Sequence, residues 1–135
     1  MRVDVADRLR ERGIQPSAQR VAVACFVLHT DEHPSADLVL SKVRRTFPQI
    51  SRATVYNTLN LMVTKGLLRE LVLAPGHVVF DPKTEGHHHF IEEGTGRIHD
   101  VPWDAVEVAR VATVPGFDVS EYQVVMRGRR KGESA

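Results

Sequence analysis

Apolar residues recur at helical spacing through the first half of the chain. Four stretches have this pattern: residues 3–12, 18–29, 36–47 and 52–65. Ser17, Ser35 and Ser51 stand before the last three of them, where a serine hydroxyl accepts a backbone N–H at the start of a helix. Gly13 and Gly66 follow the first and the fourth, as glycine commonly follows a helix C-terminus. The pattern therefore predicts four helices.

After Gly66 the apolar period changes to that of strands. LLRELVL, the turn APGH and VVFD predict a β-hairpin. HHHFIEE and RIHDV, joined through GTG, predict a second hairpin. Residues 103–112 are predicted to form a helix stopped by Pro115 and Gly116, and residues 117–126 a further strand. The second half is therefore predicted to be a small mixed lobe.

Helices followed by a two-stranded hairpin are the layout of a winged helix-turn-helix, in which the fourth helix here would enter the DNA major groove. We therefore predict an α+β chain with an N-terminal winged helix-turn-helix DNA-binding domain and a small C-terminal α/β dimerisation domain. The predicted limits are 1–80 for the first domain, 81–86 for a hinge, 87–128 for the second domain and 129–135 for a flexible tail. A lobe of about fifty residues is near the lower limit for a self-sufficient core, so a homodimer is expected.

Composition is that of an ordinary globular chain, with 42% hydrophobic and 26% charged residues among 135. The longest apolar run, residues 21–28, is far short of the roughly 20 residues that span a bilayer. The N-terminus lacks the apolar segment of an export signal, so we expect a cytoplasmic protein with no membrane partner. The single cysteine, Cys25, excludes an intramolecular disulfide and a zinc site of four cysteines from this chain.

Charge is distributed unevenly along the chain. Residues 1–65 hold ten Lys and Arg against six Asp and Glu, a balance of +4, whereas the rest hold eight against eleven. The basic half is therefore the candidate for binding a polyanion.

The fourth predicted helix has one apolar and one polar face. Val55, Leu59, Met62 and Val63 form the stripe that must face a core. The side chains left for DNA bases or phosphates are Ser51, Arg52, Thr54, Tyr56, Asn57 and Asn60, with Arg20 on the second helix as a further candidate. A merely solvated helix face is the alternative, and the winged layout favours DNA contact.

Four of the seven histidines fall between Thr84 and Asp100. On a strand, His87 and His89 project from one face while His88 points to the other. Asp100 lies across a tight turn from them. Imidazole nitrogen and carboxylate oxygen together suit Zn(II), Fe(II) or Mn(II), although a solvated pair of histidines is the ordinary alternative.

Taken together, these segments resemble the Fur family of metal-dependent transcription regulators over nearly the whole chain. GIQPSAQR, HPSADLVLSKVRRTFPQISRATVYNTLNLMVTKGLLREL, FDPKTEGHHHF and GRIHD fall in the family's order and spacing, and ATVYNTL is the most specific of them. The resemblance implies a winged-helix domain, a hinge and a dimerisation domain, with a regulatory metal held between the domains. It implies a homodimer that binds a palindromic operator in double-stranded DNA.

Carried over by position, the regulatory metal ligands are His33, Asp81, His87, His89 and Asp100. Tyr56 matches the family's base-contacting tyrosine. The resemblance implies one divalent ion per subunit, Fe2+ or Mn2+ in the cell, with Zn2+ as an alternative.

Two departures from the family separate this chain from many members. Glu92 and Thr95 stand where the first cysteine pair of the family's structural zinc site would be, so that site is absent. A further metal site of some members retains only His88 and Glu107 as good ligands, which leaves a second metal or haem there as an option.

Within the family, Asp100 and the lack of paired cysteines are more like the peroxide-sensing PerR branch or the haem-linked Irr branch. The HHH run and FIEEGTGRIHDVP resemble Irr members most closely. The expected function is repression of iron and peroxide-stress genes, with a haem-responsive or manganese-responsive regulator as the alternative.

Two other classes of protein compete with a metal-dependent regulator. A metallohydrolase needs an open metal position and a poised general base, and no Glu or Asp is placed by motif for that role, so we expect no enzyme. A metal-free DNA-binding module is the second, and equilibrium dialysis would distinguish it by showing no bound ion.

Overall fold

The computed structural model describes residues 2–132, and these form two compact units, one ending at Thr84 and the other beginning at Glu85. The first unit contains helices α1 (Arg2–Glu11), α2 (Ala18–Val27), α3 (Ala36–Val43) and α4 (Arg52–Thr64) and strands β1 (Arg69–Ala74) and β2 (His77–Asp81). The second contains β3 (His88–Glu92), β4 (Ile98–Val101) and β5 (Val125–Gly128). The four helices and both hairpins predicted from the sequence are confirmed.

Serine hydroxyls cap three helices at the predicted positions. Ser17, Ser35 and Ser51 each accept the backbone N–H of the third residue along, at 3.2, 3.2 and 3.0 Å. Each cap satisfies an amide that has no partner within its helix and stabilises the helix by about 1 kcal/mol. The start of α4, and so the position of its polar face, is set by the Ser51 cap.

The core of the first unit is formed by the apolar faces of the four helices and by Phe80 of β2. In α4, Val55, Leu59 and Met62 are fully buried as predicted, and Val63 is partly buried. In α2, Val23, Ala24 and Val27 are the fully buried residues, whereas Val21 and Cys25 are only partly buried. Because α2 is apolar on most sides, its pattern could not select the innermost face.

The hairpin β1–β2 is antiparallel and is tied to the helices by its second strand. The Phe80 N–H donates to the carbonyl of Pro34 at 2.9 Å. This bond brings the end of β2 beside the loop between α2 and α3, where His33 lies.

In the second unit the strand order is β4-β3-β5. β3 pairs antiparallel with β4, with His89 opposite Asp100, and parallel with β5, with His89 opposite Val125. The central strand therefore carries the histidines, and its neighbours provide groups on both sides.

Two elements predicted in the second unit are wrong. Residues 103–112 form no α-helix but only short 3-10 turns, at Trp103–Ala105 and Val111–Thr113. The segment is rich in β-branched valine, Pro102 provides no side-chain cap, and Arg110 adopts a φ of 65°, which a helix does not accommodate. The strand predicted over 117–126 is reduced to Val125–Gly128, and Phe117 is 76% exposed, so its apolar side chain is not buried in this unit.

The predicted domain limits at residues 80, 86 and 128 stay predictions. Arg129 to Gly132 of the predicted tail are described, and Arg130 there is ion-paired with Glu92. Residues 133–135 of the predicted tail lie outside the described residues.

Candidate functional site

His33 and Asp81 form a buried pair in the first unit. The His33 Nε2 lies 3.2 Å from Asp81 Oδ2, and their side chains are 5% and 2% exposed. Asp81 is the last residue of β2, and its other oxygen, Oδ1, accepts the Lys83 N–H at 2.9 Å. The carboxylate is thus held with Oδ2 directed at the imidazole.

The backbone of His33 is in the left-handed region, with a φ of 54°. Only a few per cent of non-glycine residues adopt this conformation, and it costs free energy that the surrounding structure must offset. Such conformations cluster at ligand-binding positions, which supports a functional role for His33.

His87, His89 and Asp100 converge in the second unit. The Nε2 atoms of His87 and His89 each lie 3.5 Å from Asp100 Oδ1, and the two rings are 4.6 Å apart between centroids. The convergence follows from strand geometry, because side chains two residues apart share a face and Asp100 stands directly opposite His89. His89 is 1% exposed and His87 9%.

Hydrogen bonds at Nδ1 set the orientation of both imidazole rings. The Nδ1–H of His87 donates to the carbonyl of Glu85 at 2.7 Å, and that of His89 donates to Gln123 Oε1 at 3.1 Å. A neutral imidazole that donates through Nδ1 presents its lone pair at Nε2. The same arrangement orients histidine ligands in metalloproteins, where the second nitrogen is bonded to a carbonyl or carboxylate.

The residues present fit a divalent metal ion. Ligand atoms that each lie about 2.1 Å from one ion are themselves roughly 3.0–3.4 Å apart. The separations of 3.2 Å in the first unit and 3.5 Å in the second are close to this range and longer than the usual 2.9 Å hydrogen bond. Nitrogen and oxygen donors without thiolate are compatible with Fe2+, Mn2+ and Zn2+.

His88 points away from His87, His89 and Asp100, as the alternation of side chains along a strand predicts. It is fully buried, its ring stacks on Trp103 at 4.6 Å, and its Nδ1 accepts the Val124 N–H at 2.9 Å. Its Nε2 is buried without a hydrogen-bond partner among the described residues. Glu107, the other residue predicted for a second metal or haem, is exposed. That second site stays a prediction.

Glu92 lies in a cluster of opposite charges. Its Oε1 is 2.8 Å from His99 Nε2 and accepts a hydrogen bond from Arg130 Nε at 3.3 Å. The side chain is only 7% exposed, and its contact with His99, followed by the charge of Arg130, lowers the pKa of the carboxyl. The cluster thus joins β3, β4 and the chain after β5, whereas Thr95 lies in the exposed turn between β3 and β4.

We expect Glu92→Gln to destabilise the protein at neutral pH but not in acid. A carboxyl whose folded-state pKa is lowered stabilises the fold above its unfolded pKa, and this stabilisation is lost as the pH falls through the folded value. Thermal unfolding should therefore show a gap between wild type and variant at pH 7 that closes below the usual glutamate pKa of 4.5. Glu93→Gln, which removes an exposed carboxylate next to it, is the control, and a pH-independent gap for Glu92→Gln would contradict the prediction.

The polar face of α4 is available to solvent. Ser51, Arg52, Tyr56, Asn57 and Asn60 are exposed, and Thr54 is half-buried against the Ser51 cap. Arg52 and Tyr56 both bond Asp37 of α3, and the bond with Asp37 is the main cause that raises the pKa of Arg52. Arg20 on α2 is half-buried and donates to the Gln15 carbonyl at 3.0 Å.

Two residues next to these sites were missed in the sequence. Gln123 contacts His89 from 34 positions away, in a segment whose predicted strand is wrong. Asp37 lies in the first turn of α3, and only the packing of α3 against α4 brings it to Arg52. Neither position has a local sequence signal, because both contacts depend on tertiary structure.

Within residues 2–132, no helix is both long and apolar enough to cross a membrane.

The chain matches a family model, known proteins and solved structures. The model of the ferric uptake regulator family matches residues 11–127. The chain is 33% identical over 127 residues to the peroxide operon regulator of Bacillus subtilis, covering 93% of this chain and 88% of that protein. It is 33% identical over 122 residues to the peroxide-responsive repressor PerR of Staphylococcus aureus, covering 89% and 82%. Its fold matches the ferric uptake regulator of Francisella tularensis with iron at a TM-score of 0.71 and 25% identity, covering 88% and 93%. The chain belongs to the ferric uptake regulator family.

Proposed function

We propose that this protein is a metal-dependent transcriptional repressor of genes for iron homeostasis and the peroxide stress response. The observation that carries the proposal is that each unit holds buried imidazole groups beside a carboxylate in a geometry suited to a divalent ion. The relatives named as a peroxide operon regulator and a peroxide-responsive repressor support peroxide as the signal. Both relatives are regulators, and we propose no enzymatic activity.

The proposed ligands of one regulatory ion are His33, Asp81, His87, His89 and Asp100. Fe2+ and Mn2+ are the favoured ions, and Zn2+ is compatible with the same donors. When bound, the ion supplies a positive charge shared by side chains of both units. Glu85 and Gln123 orient two of the imidazole rings, so that their Nε2 atoms are presented before any ion arrives.

An ion that takes ligands from both units would restrict their relative movement. In a homodimer this restriction sets the spacing of the two α4 helices. A palindromic operator is bound tightly only when that spacing matches the separation of its half-sites. Metal binding and DNA binding are then linked by a coupling free energy, so each strengthens the other.

Homodimerisation is supported by apolar side chains of the second unit that this unit does not cover. The exposed apolar residues there are Trp103, Val108, Val114, Phe117 and Val119. Several large apolar side chains exposed within one segment favour an interface there, and a second copy of the chain is the proposed partner.

The signal is tested by loading protein, purified without oxygen, with Fe2+ and exposing it to peroxide. A peroxide sensor of this type is expected to gain one oxygen atom on His33, His87 or His89, which are the imidazoles proposed to contact the ion. Peptide mass spectrometry locates the modification, and Mn2+-loaded protein is the control. Unmodified histidines together with haem-dependent loss of DNA binding would instead favour the haem-responsive alternative.

A further inference from the structure

The carboxylate of Asp37 contacts two of the side chains proposed to contact DNA. Asp37 Oδ1 accepts hydrogen bonds from Arg52 Nη1 and, at 3.3 Å, from the Tyr56 hydroxyl. The Arg52 guanidinium also lies over the Tyr56 ring, 5.9 Å from its centroid. We call these three residues the Asp37 cluster. In it, the groups of Arg52 and Tyr56 that could bond DNA are already bonded to an acid.

The Asp37 cluster is exposed to solvent, so its hydrogen bonds can be replaced by bonds to another acceptor. The side chains of Arg52 and Asp37 are 61% and 66% exposed. An ion pair in this setting is weak, because water screens the charges and two side chains must be ordered to form it. A base edge or a phosphate can replace the carboxylate at small cost, provided that it is presented in the right place.

A second carboxylate lies close to the same face. Asp37, Tyr56 and Asn60 line a cavity of about 340 Å³ together with Glu70 of β1. Two acidic groups beside the polar face of α4 repel phosphates that approach without a compensating contact. The local charge thus opposes indiscriminate DNA binding in a half of the chain that is otherwise basic.

We propose that Asp37 of α3 determines the DNA specificity of α4, because it holds Arg52 and Tyr56 away from non-cognate DNA. The inference rests on the proposed function. On non-cognate DNA, Arg52 and Tyr56 keep their hydrogen bonds to Asp37, and Arg52 neutralises no phosphate. On a cognate duplex, an acceptor at the correct position takes the guanidinium from Asp37.

The test uses full-length protein with Mn2+ and two probes, a random-sequence duplex and a duplex that the wild type selects from a random pool. Asp37→Asn should bind the random duplex about three- to tenfold more tightly at low salt, with the slope of log K against log salt steeper by about 0.9, as for one added phosphate contact. The slope for the selected duplex should not change, because Arg52 is already engaged there. The ratio of selected to random affinity therefore falls.

Two further variants separate this role from a general charge effect. Glu70→Gln removes the same charge from the same cavity, and so the same repulsion of phosphates, but it leaves the Asp37–Arg52 pair intact. Because it frees no guanidinium to contact a phosphate, its slopes should match those of the wild type. In an Arg52→Ala background, Asp37→Asn should no longer steepen the slope. Thermal unfolding of each variant shows that it is folded.

The proposal is overturned if the random-duplex slope is unchanged in Asp37→Asn, or if Glu70→Gln or the Arg52→Ala background gives the same steepening. It is also overturned if Asp37→Asn weakens only the selected duplex. Failure of the proposed function has a different signature, because the wild type would then recover no preferred duplex from the pool. The random-duplex measurement would still report on Asp37.

Discussion

Replacing His89 with alanine is expected to weaken metal binding by about 100-fold or more and to remove the metal dependence of DNA binding. Loss of a bond that merely orients a ligand typically costs 10- to 100-fold in metal affinity, and loss of the ligand itself costs at least as much. His89 is 1% exposed, so its Nε2 is directed into the protein rather than into bulk water. Titration with Mn2+, followed by DNA binding at saturating Mn2+, measures both effects.

A matched control is His77→Ala, which removes an exposed histidine at the start of β2. It should leave metal affinity within about twofold of the wild type. Because His89→Ala also opens a cavity, Gln123→Ala provides a second variant that keeps the imidazole and removes only the bond at Nδ1. We expect about a 10- to 100-fold loss of metal affinity from it. Unchanged Mn2+ binding in both variants would exclude His89 as a ligand.

Tyr56→Ala, unlike His89→Ala, is expected to weaken DNA binding without changing metal binding. Tyr56 is 38% exposed on α4, and removal of a side chain that contacts a base typically costs about 1–3 kcal/mol, or roughly 5- to 150-fold in affinity. Fluorescence anisotropy with the selected duplex measures the loss, and Mn2+ titration should give the wild-type affinity. Tyr56→Phe, which keeps the ring, separates the contribution of the hydroxyl from that of the ring.

The control for Tyr56 is Arg8→Ala, which removes an exposed side chain from α1. It should shift operator affinity by less than about threefold, with no change in sequence preference. Equal losses in the two variants would mean that α4 does not read the DNA.

The sequence predicted best those features that depend on neighbouring residues. A serine hydroxyl that caps a helix and the period of two along a strand are local properties. These properties placed α4 and predicted that His87 and His89 share a face and that His88 lies opposite. The separation of His33 from Asp81 in sequence gave no local signal, and only the resemblance to the family predicted that both belong to one site.

The second unit was predicted less well because its apolar pattern has more than one explanation. Valines in residues 103–124 fit a helix or a strand equally well by spacing, yet much of the segment is irregular and exposed. Apolar residues there need not pack within this unit if a second copy of the chain covers them. A pattern read in one chain cannot distinguish a core from an interface.

The chain has one cysteine, so it cannot supply the four cysteines of a structural zinc site, and the structure shows ionic contacts in that region. Glu92, which the resemblance to the family puts at the position of a cysteine, pairs with His99 and Arg130. Ionic contacts thus join the hairpin β3–β4 to the chain after β5 in this member of the family. The pH dependence of Glu92→Gln tests whether they stabilise it.

We propose that a divalent metal controls DNA affinity through these imidazoles and carboxylates. The most direct test is the affinity of the wild type for the selected duplex, measured with Mn2+, with chelator, and after Mn2+ is restored. We expect Mn2+ to tighten binding by about 10- to 100-fold, in the usual range of allosteric coupling, and chelator to reverse the effect. Equal affinity in the presence and absence of metal would mean that the metal does not control DNA binding.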